Sequence, residues 1–171
     1  LRRQRMEQYL FDGNVYLDYN VVRQEHSPIF SVASFYPLWA GVATPEQAKK
    51  TVENLYRLEY PYGISTCEKG IRKTPYQWDY PNGWAPLQYI MVHALERYGY
   101  QEDAKRIAHK YIDAMEQIFA QTGTLWEKYN VTDGSLNVTN EYHMPPMLGW
   151  TAGVYVDFKK YIKKFEMSEV E

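Results

Sequence analysis

Gln77-Trp78-Asp79-Tyr80-Pro81-Asn82-Gly83-Trp84-Ala85-Pro86 sets two tryptophans, a carboxylate, two amides and two prolines within ten residues. Neither a core helix nor an ordinary strand needs that mixture. Pro, Asn, Asp and Gly at this density specify a rigid loop. Pro86 suits the first turn of a helix, so the loop should end at a helix start. Rings with polar groups between them suit a polyhydroxylated ligand, whose apolar face stacks on an aromatic side chain while its hydroxyls are hydrogen-bonded.

Immediately downstream the pattern changes to a period of 3.6. Leu87, Ile90, Met91, Ala94, Leu95 and Tyr98 share a helix face, and Gly99 closes it. Ala104, Ile107, Ala108, Tyr111, Ile112, Met115, Ile118 and Phe119 repeat the pattern up to Gly123. So short a connection makes the two helices antiparallel neighbours. A last helix is expected from Thr151 to about Lys164, with Val154, Phe158, Tyr161 and Ile162 on one side and a fraying tail from Glu166. Upstream, residues 2–11 read as a helix with Met6, Leu10 and Phe11 as its apolar side, and Asp12-Gly13-Asn14 as a turn. Val15 to Asn20 alternates like a short strand, and the mostly apolar run from Ser31 reads as a buried helix around Pro37. Thr44-Pro45-Glu46-Gln47 is a helix start with a capping box, and its apolar face extends to about Tyr60. Residues 62–85 and 124–149 are loop-rich and hold most of the tryptophans. Helical pairs carrying long loops are an arrangement in which sites sit on the loops.

The 171 residues suffice for a single domain with a real core, 1–171. A net charge of −2 argues against a nucleic-acid or membrane-surface role, and no apolar run has the length of a membrane span. With Cys67 the only cysteine, neither an internal disulfide nor a cysteine-based zinc site is available, which leans weakly toward a reducing, cytoplasmic compartment. His26, His93, His109 and His143 are scattered without metal-ligand spacing, so neither metal nor cofactor is expected.

Three stretches place a carboxylate among aromatic rings beside a helix end: Gln77 to Pro86, Leu125 to Val131 with Glu127, and Asn140-Glu141-Tyr142 followed by Gly149-Trp150-Thr151. Glycoside hydrolysis needs paired carboxyl groups, one to protonate the leaving oxygen and one to activate water or attack. Each carboxylate taken alone has a plain structural role open to it. Asp79 can close a turn with Asn82 and Gly83, Glu127 can be an exposed charge beside Lys128, and Glu141 can cap or pair on the surface.

The stretch Gln77 to Gln88 resembles, nearly residue for residue, the tryptophan-rich motif of trehalases, glycoside hydrolase family 37. Trp126-Glu127-Lys128-Tyr129-Asn130-Val131 is similar to a second family motif, and Glu141-Tyr142 with Gly149-Trp150-Thr151-Ala152-Gly153-Val154 to a third. Tyr16 to Asn20 and Phe35 to Trp39 match in order, so the resemblance covers about residues 5–158. It implies an all-α fold, an α/α toroid of helical hairpins with the site at one rim, and hydrolysis of α,α-trehalose with inversion and without a metal. It also implies that Glu127 is the general base, and that Trp78, Asp79, Asn82, Trp84, Glu141 and Trp150 bind the disaccharide.

The family's general acid, an Asp in an Arg-Glu-Ser-Gly-Trp-Asp-like segment, and its arginine clamp have no counterpart here. By resemblance the chain is therefore the C-terminal half of a toroid, supplying the base side of the site, inactive by itself and with exposed half-toroid faces available for self-association. The loop Asp133 to Asn140 and the segment Tyr142 to Leu148 depart from the family pattern where the second sugar would sit. Alternatives are a related α/α-toroid α-glucosidase with another substrate, a non-catalytic carbohydrate-binding module, or an inactive fragment.

Overall fold

The computed structural model describes residues 1–70, 73–146 and 149–168. Its scaffold is three long helices, α4 (Ala85–Arg97), α5 (Gln101–Thr122) and α6 (Gly149–Ser168). The apolar faces expected for α4 and α5 are the buried ones: Met91, Ala94, Leu95, Ala104, Ile107, Ala108 and Tyr111 are fully inaccessible. Gly99 and Gly123 take φ +84° and +70°, the left-handed conformation that ends a helix at little cost to glycine. α6 lies against both partners of the hairpin. Phe158 is inaccessible and meets Tyr111 edge-on at 5.5 Å, and the Tyr111 hydroxyl donates to the Thr151 carbonyl at 3.0 Å. α6 continues to Ser168, beyond the expected Lys164, and the end of the tail, 169–171, lies outside the described residues.

Ahead of the scaffold run α1 (Arg2–Leu10), α2 (Tyr36–Trp39) and α3 (Pro45–Val52). No residue of α1 is buried; Leu10 and Phe11, at its end, carry its contact with the core. The buried helix expected around Pro37 is a 3₁₀ turn, Val32–Phe35, running into the single turn of α2. Thr44 and Gln47 form the capping box: the Thr44 hydroxyl accepts from Gln47 N at 3.2 Å and Gln47 Oε1 accepts from Thr44 N at 2.8 Å. α3 stops at Val52, short of the expected Tyr60, because Leu55–Arg57 tightens into a 3₁₀ turn that leads to a strand.

Among the described residues, three two-stranded ribbons join the helices. β1 (Tyr19–Asn20) pairs with β2 (Glu25–His26), and β3 (Glu59–Tyr60) with β4 (Gly63–Ile64). β5 (Asn82–Trp84) pairs with β6 (Lys128–Asn130), antiparallel, with Asn82 opposite Asn130, Gly83 opposite Tyr129 and Trp84 opposite Lys128. This last ribbon decides the position of the site. It lashes the tryptophan-rich loop ahead of α4 to the loop that follows α5, two segments more than forty positions apart. Gly83 permits the close approach: a Cβ there would meet Val131 Cγ1 at 2.4 Å and the Tyr129 ring at 3.1 Å. Gln88, buried on α4, anchors the neighbouring ribbon by accepting from Ile64 N at 2.9 Å and donating to Ile64 O at 2.6 Å.

Candidate active site

The residues Gln77 to Trp84 fold back on one backbone carbonyl. Gln77 O accepts from Asn82 Nδ2 at 2.9 Å and from Trp84 Nε1 at 3.0 Å. Trp84 is thereby buried, and Trp78 stacks on it face to face, with centroids 3.8 Å apart and planes 3° apart. Trp150, at the start of α6, meets Trp84 edge-on at 6.0 Å. Trp78 and Trp150 remain partly exposed, so three indoles form a wall with a wet outer side. Asp79 closes the loop: its carboxylate accepts from Tyr76 N at 2.7 Å, and its carbonyl accepts from Asn82 N at 3.0 Å. It also lies near Cys67, whose thiol is pushed up to about 11, first by burial and further by Asp79 despite an opposing backbone hydrogen bond.

Asn82 is wholly inaccessible and ties this loop to the last one, donating to Thr139 O at 2.8 Å and accepting from Thr139 N at 3.2 Å. Two positions on, Glu141 Oε2 accepts from Gln77 N at 3.3 Å. The next residue, Tyr142, reaches Glu127, its hydroxyl lying 2.7 Å from each carboxylate oxygen.

Glu127 is 6% exposed, and Lys128 beside it 1%. Lys128 Nζ donates to Glu127 Oε2 at 2.9 Å and sits 4.9 and 4.8 Å from the ring centroids of Trp84 and Tyr142. Neighbours in sequence on a strand point to opposite faces, but Glu127 precedes β6, and the turn of chain there brings the two side chains together. A buried carboxylate with a charge-assisted partner and a phenol donor, beside an aromatic wall, is equipped to take a proton from a group placed against it. Among the described residues no cluster of His, Cys, Asp and Glu could hold a metal ion, and no helix is long and apolar enough to cross a membrane. A cavity of about 470 Å³ between α5 and α6, bordered by His109, Glu116, Tyr155 and Lys159, has none of the Glu127 neighbourhood in its lining.

The family model for trehalases matches residues 1–163. The chain belongs to the trehalase family. It is 34% identical to the cytosolic neutral trehalase of Kluyveromyces lactis over 96% of its own length and 25% of that protein's. It is 36% identical to the periplasmic trehalase of Xanthomonas oryzae over 90% and 27%. Among solved structures it matches neutral trehalase Nth1 from Saccharomyces cerevisiae with a TM-score of 0.80 and 33% identity, covering 94% of this chain and 29% of that one. At 16% identity, a GH63 mannosylglycerate hydrolase from Thermus thermophilus shares the fold, with a TM-score of 0.69. The fold is thus part of an α/α-toroid glycosidase, and the chain spans about a quarter of the length of the trehalases it matches.

Against this trehalase background, Trp78, Trp84 and Trp150 share one wall and Glu127 lies behind Trp84 through Lys128. Asn82 and Asp79 are brought into the same loop, where both make bonds that hold the backbone. Glu141 is exposed at the edge of the group, joined to it through Gln77 N. Sequence reasoning gave no role to Lys128, Tyr142 or Gln77, which border Glu127, Glu141 and Trp78 in the chain. Only adjacency to a named residue signalled them, since their contacts span up to 65 positions and follow no short motif.

Proposed function

We propose that this chain supplies the base side of an inverting glycosidase site that hydrolyses an α-glucoside, α,α-trehalose, to glucose. Glu127 removes a proton from water as the water oxygen bonds to the anomeric carbon and the bond to the glycosidic oxygen breaks. A carboxylic acid roughly 6.5–9.5 Å from Glu127 protonates that leaving oxygen. The acid comes from outside these 171 residues, because no Asp here stands in the motif that carries it in the family. Trp78 and Trp150 offer the sugar a stacking surface, and Glu141 a hydrogen-bond acceptor at the rim.

One observation carries the proposal. Glu127 is buried, yet its carboxylate is held by two donors beside a tryptophan wall, although an unpaired Glu next to a Lys would normally project into water. The test is a chimera in which this chain replaces the matching segment of the Kluyveromyces lactis enzyme. Trehalose hydrolysis should persist in it, and Glu127→Gln should lower kcat by about 10²–10⁴-fold, the usual yield of general base catalysis. A Gln variant that turns over as fast as its parent sinks the assignment. The 171-residue chain by itself should release no glucose from trehalose.

A further inference from the structure

The hydrogen bonds around Glu127 run in one direction. The Tyr142 hydroxyl lies 2.7 Å from both carboxylate oxygens of Glu127. An ionised carboxylate only accepts, so the phenol directs its proton to Glu127. The hydroxyl is a standing donor at neutral pH: its pKa is pushed up to about 12, first by loss of solvent and then by the bond to Glu127 and that carboxylate's charge. Lys128 fills a second position, on Oε2 alone.

We propose that Tyr142 and Lys128 are positioning residues for the base, two donors that orient the Glu127 carboxylate and leave Oε1 as the oxygen that faces water. This rests on the assignment of Glu127 as the base. A carboxylate has about four lone-pair positions. Lys128 holds one on Oε2 and the Tyr142 proton is shared between the two oxygens, so the carboxylate plane is fixed and the free acceptor capacity lies on Oε1. The arrangement also ties the base to the tryptophan-rich loop: the Gln77 carbonyl holds Asn82 and Trp84, and its N–H donates to Glu141, the residue before Tyr142.

The test is NMR on the whole chain with ¹³C-labelled glutamate, the Glu127 carboxyl signal being assigned by its loss in Glu127→Gln. The expected wild-type signature is a slowly exchanging, downfield hydroxyl proton that disappears in Tyr142→Phe and in Glu127→Gln. Tyr142→Phe should also move the Glu127 carboxyl resonance while the backbone amide spectrum stays folded. Should Tyr142→Phe perturb the fold, the wild-type hydroxyl proton and its loss in Glu127→Gln carry the test alone. A Glu127 signal unmoved by a folded Tyr142→Phe, or a wild-type spectrum without the downfield hydroxyl proton, overturns the proposal. The assignment of Glu127 fails differently: the NMR signature stays intact while the chimera's turnover survives Glu127→Gln.

Discussion

From Ala85 to Thr122 the chain is held by what it buries, and from Gly123 to Pro146 by what it hydrogen-bonds. In the α4–α5 hairpin the apolar faces meet along the length of both helices, and Leu95, Ala104, Ile107 and Ala108 lose all contact with water. In the loop after α5, Tyr129 and Val131 are buried against the core, and the other fixed points are polar. Asn130 takes the Thr132 N–H at 2.9 Å and donates to Asn137 O at 3.0 Å, the Ser135 N–H bonds to Asp133 at 2.9 Å, and Thr139 is clasped by Asn82 from across the ribbon. Burial is non-directional and scales with area, so the hairpin provides stability without aiming any particular atom. Hydrogen bonds contribute less each but fix direction, which a site needs. The two regions therefore divide labour, and variants should separate them.

The largest loss of stability belongs to the hairpin. Leu95→Ala removes a fully buried side chain between α4 and its neighbours and should cost about 2–5 kcal/mol, read as a lowered urea midpoint with unchanged slope. The ring stack and the bond from Tyr142 to Glu127 should persist in the folded fraction. A cost below about 1 kcal/mol would mean that the hairpin is not the main source of stability.

Asn82→Ala attacks the other region. It withdraws both donors from Gln77 O and Thr139 O and the acceptor from Thr139 N. Gln77 O keeps Trp84 Nε1, so the uncompensated groups are those of Thr139, at roughly 1–3 kcal/mol. The loss of stability should be smaller than for Leu95→Ala and the loss of site geometry greater. Thr139 to Tyr142 should gain hydrogen exchange, and the downfield hydroxyl proton expected of Tyr142 should broaden or vanish. Equal protection of that loop in variant and parent would break the division of labour.

The same contrast explains what was legible in the sequence. The periodicity of Leu87 to Tyr98 and Ala104 to Phe119 specified α4 and α5 to within a few residues, because a helix face is a local pattern with a physical cause. The capping box at Thr44 was legible for the same reason. Ribbons of two or three residues, such as Asn82–Trp84 with Lys128–Asn130, leave no periodic trace, since each is too short to alternate and is defined by a partner far along the chain. Ser31 to Ala43 misled because an apolar run without a clear period fits a buried helix as well as a 3₁₀ turn. At the candidate site, Glu127 and the tryptophans were singled out through their resemblance to family motifs. Their burial and the bonds to Lys128 and Tyr142 were not, because a Glu-Lys pair in sequence is most often two solvated charges.

The charged contact between the scaffold and β3 should give the smallest effect. Glu59, on β3, accepts from Arg106 Nε and Nη2 at 2.8 and 2.9 Å and from Lys110 Nζ at 2.6 Å, all on α5. Burial on its own would raise the Glu59 pKa, but the bonds from Arg106 and Lys110 outweigh it and hold the carboxyl below its ordinary range. A group whose pKa is lower in the folded state contributes stability in full above its unfolded value, and that contribution is lost as pH falls through the folded value. Arg106 is 44% exposed at its side chain, so solvent screens the pair and the contribution should be held to about 1 kcal/mol. Glu59→Gln should therefore be slightly less stable than the parent at pH 7. The two urea midpoints should converge as the pH is lowered past the ordinary carboxylate range, where the parent carboxyl is also neutral. Raised salt should narrow the gap at pH 7. A difference that holds constant from pH 7 down through the acid range would show that Glu59 ties the ribbon to α5 by shape and not by charge. That would place β3 with the buried scaffold instead of the hydrogen-bonded rim.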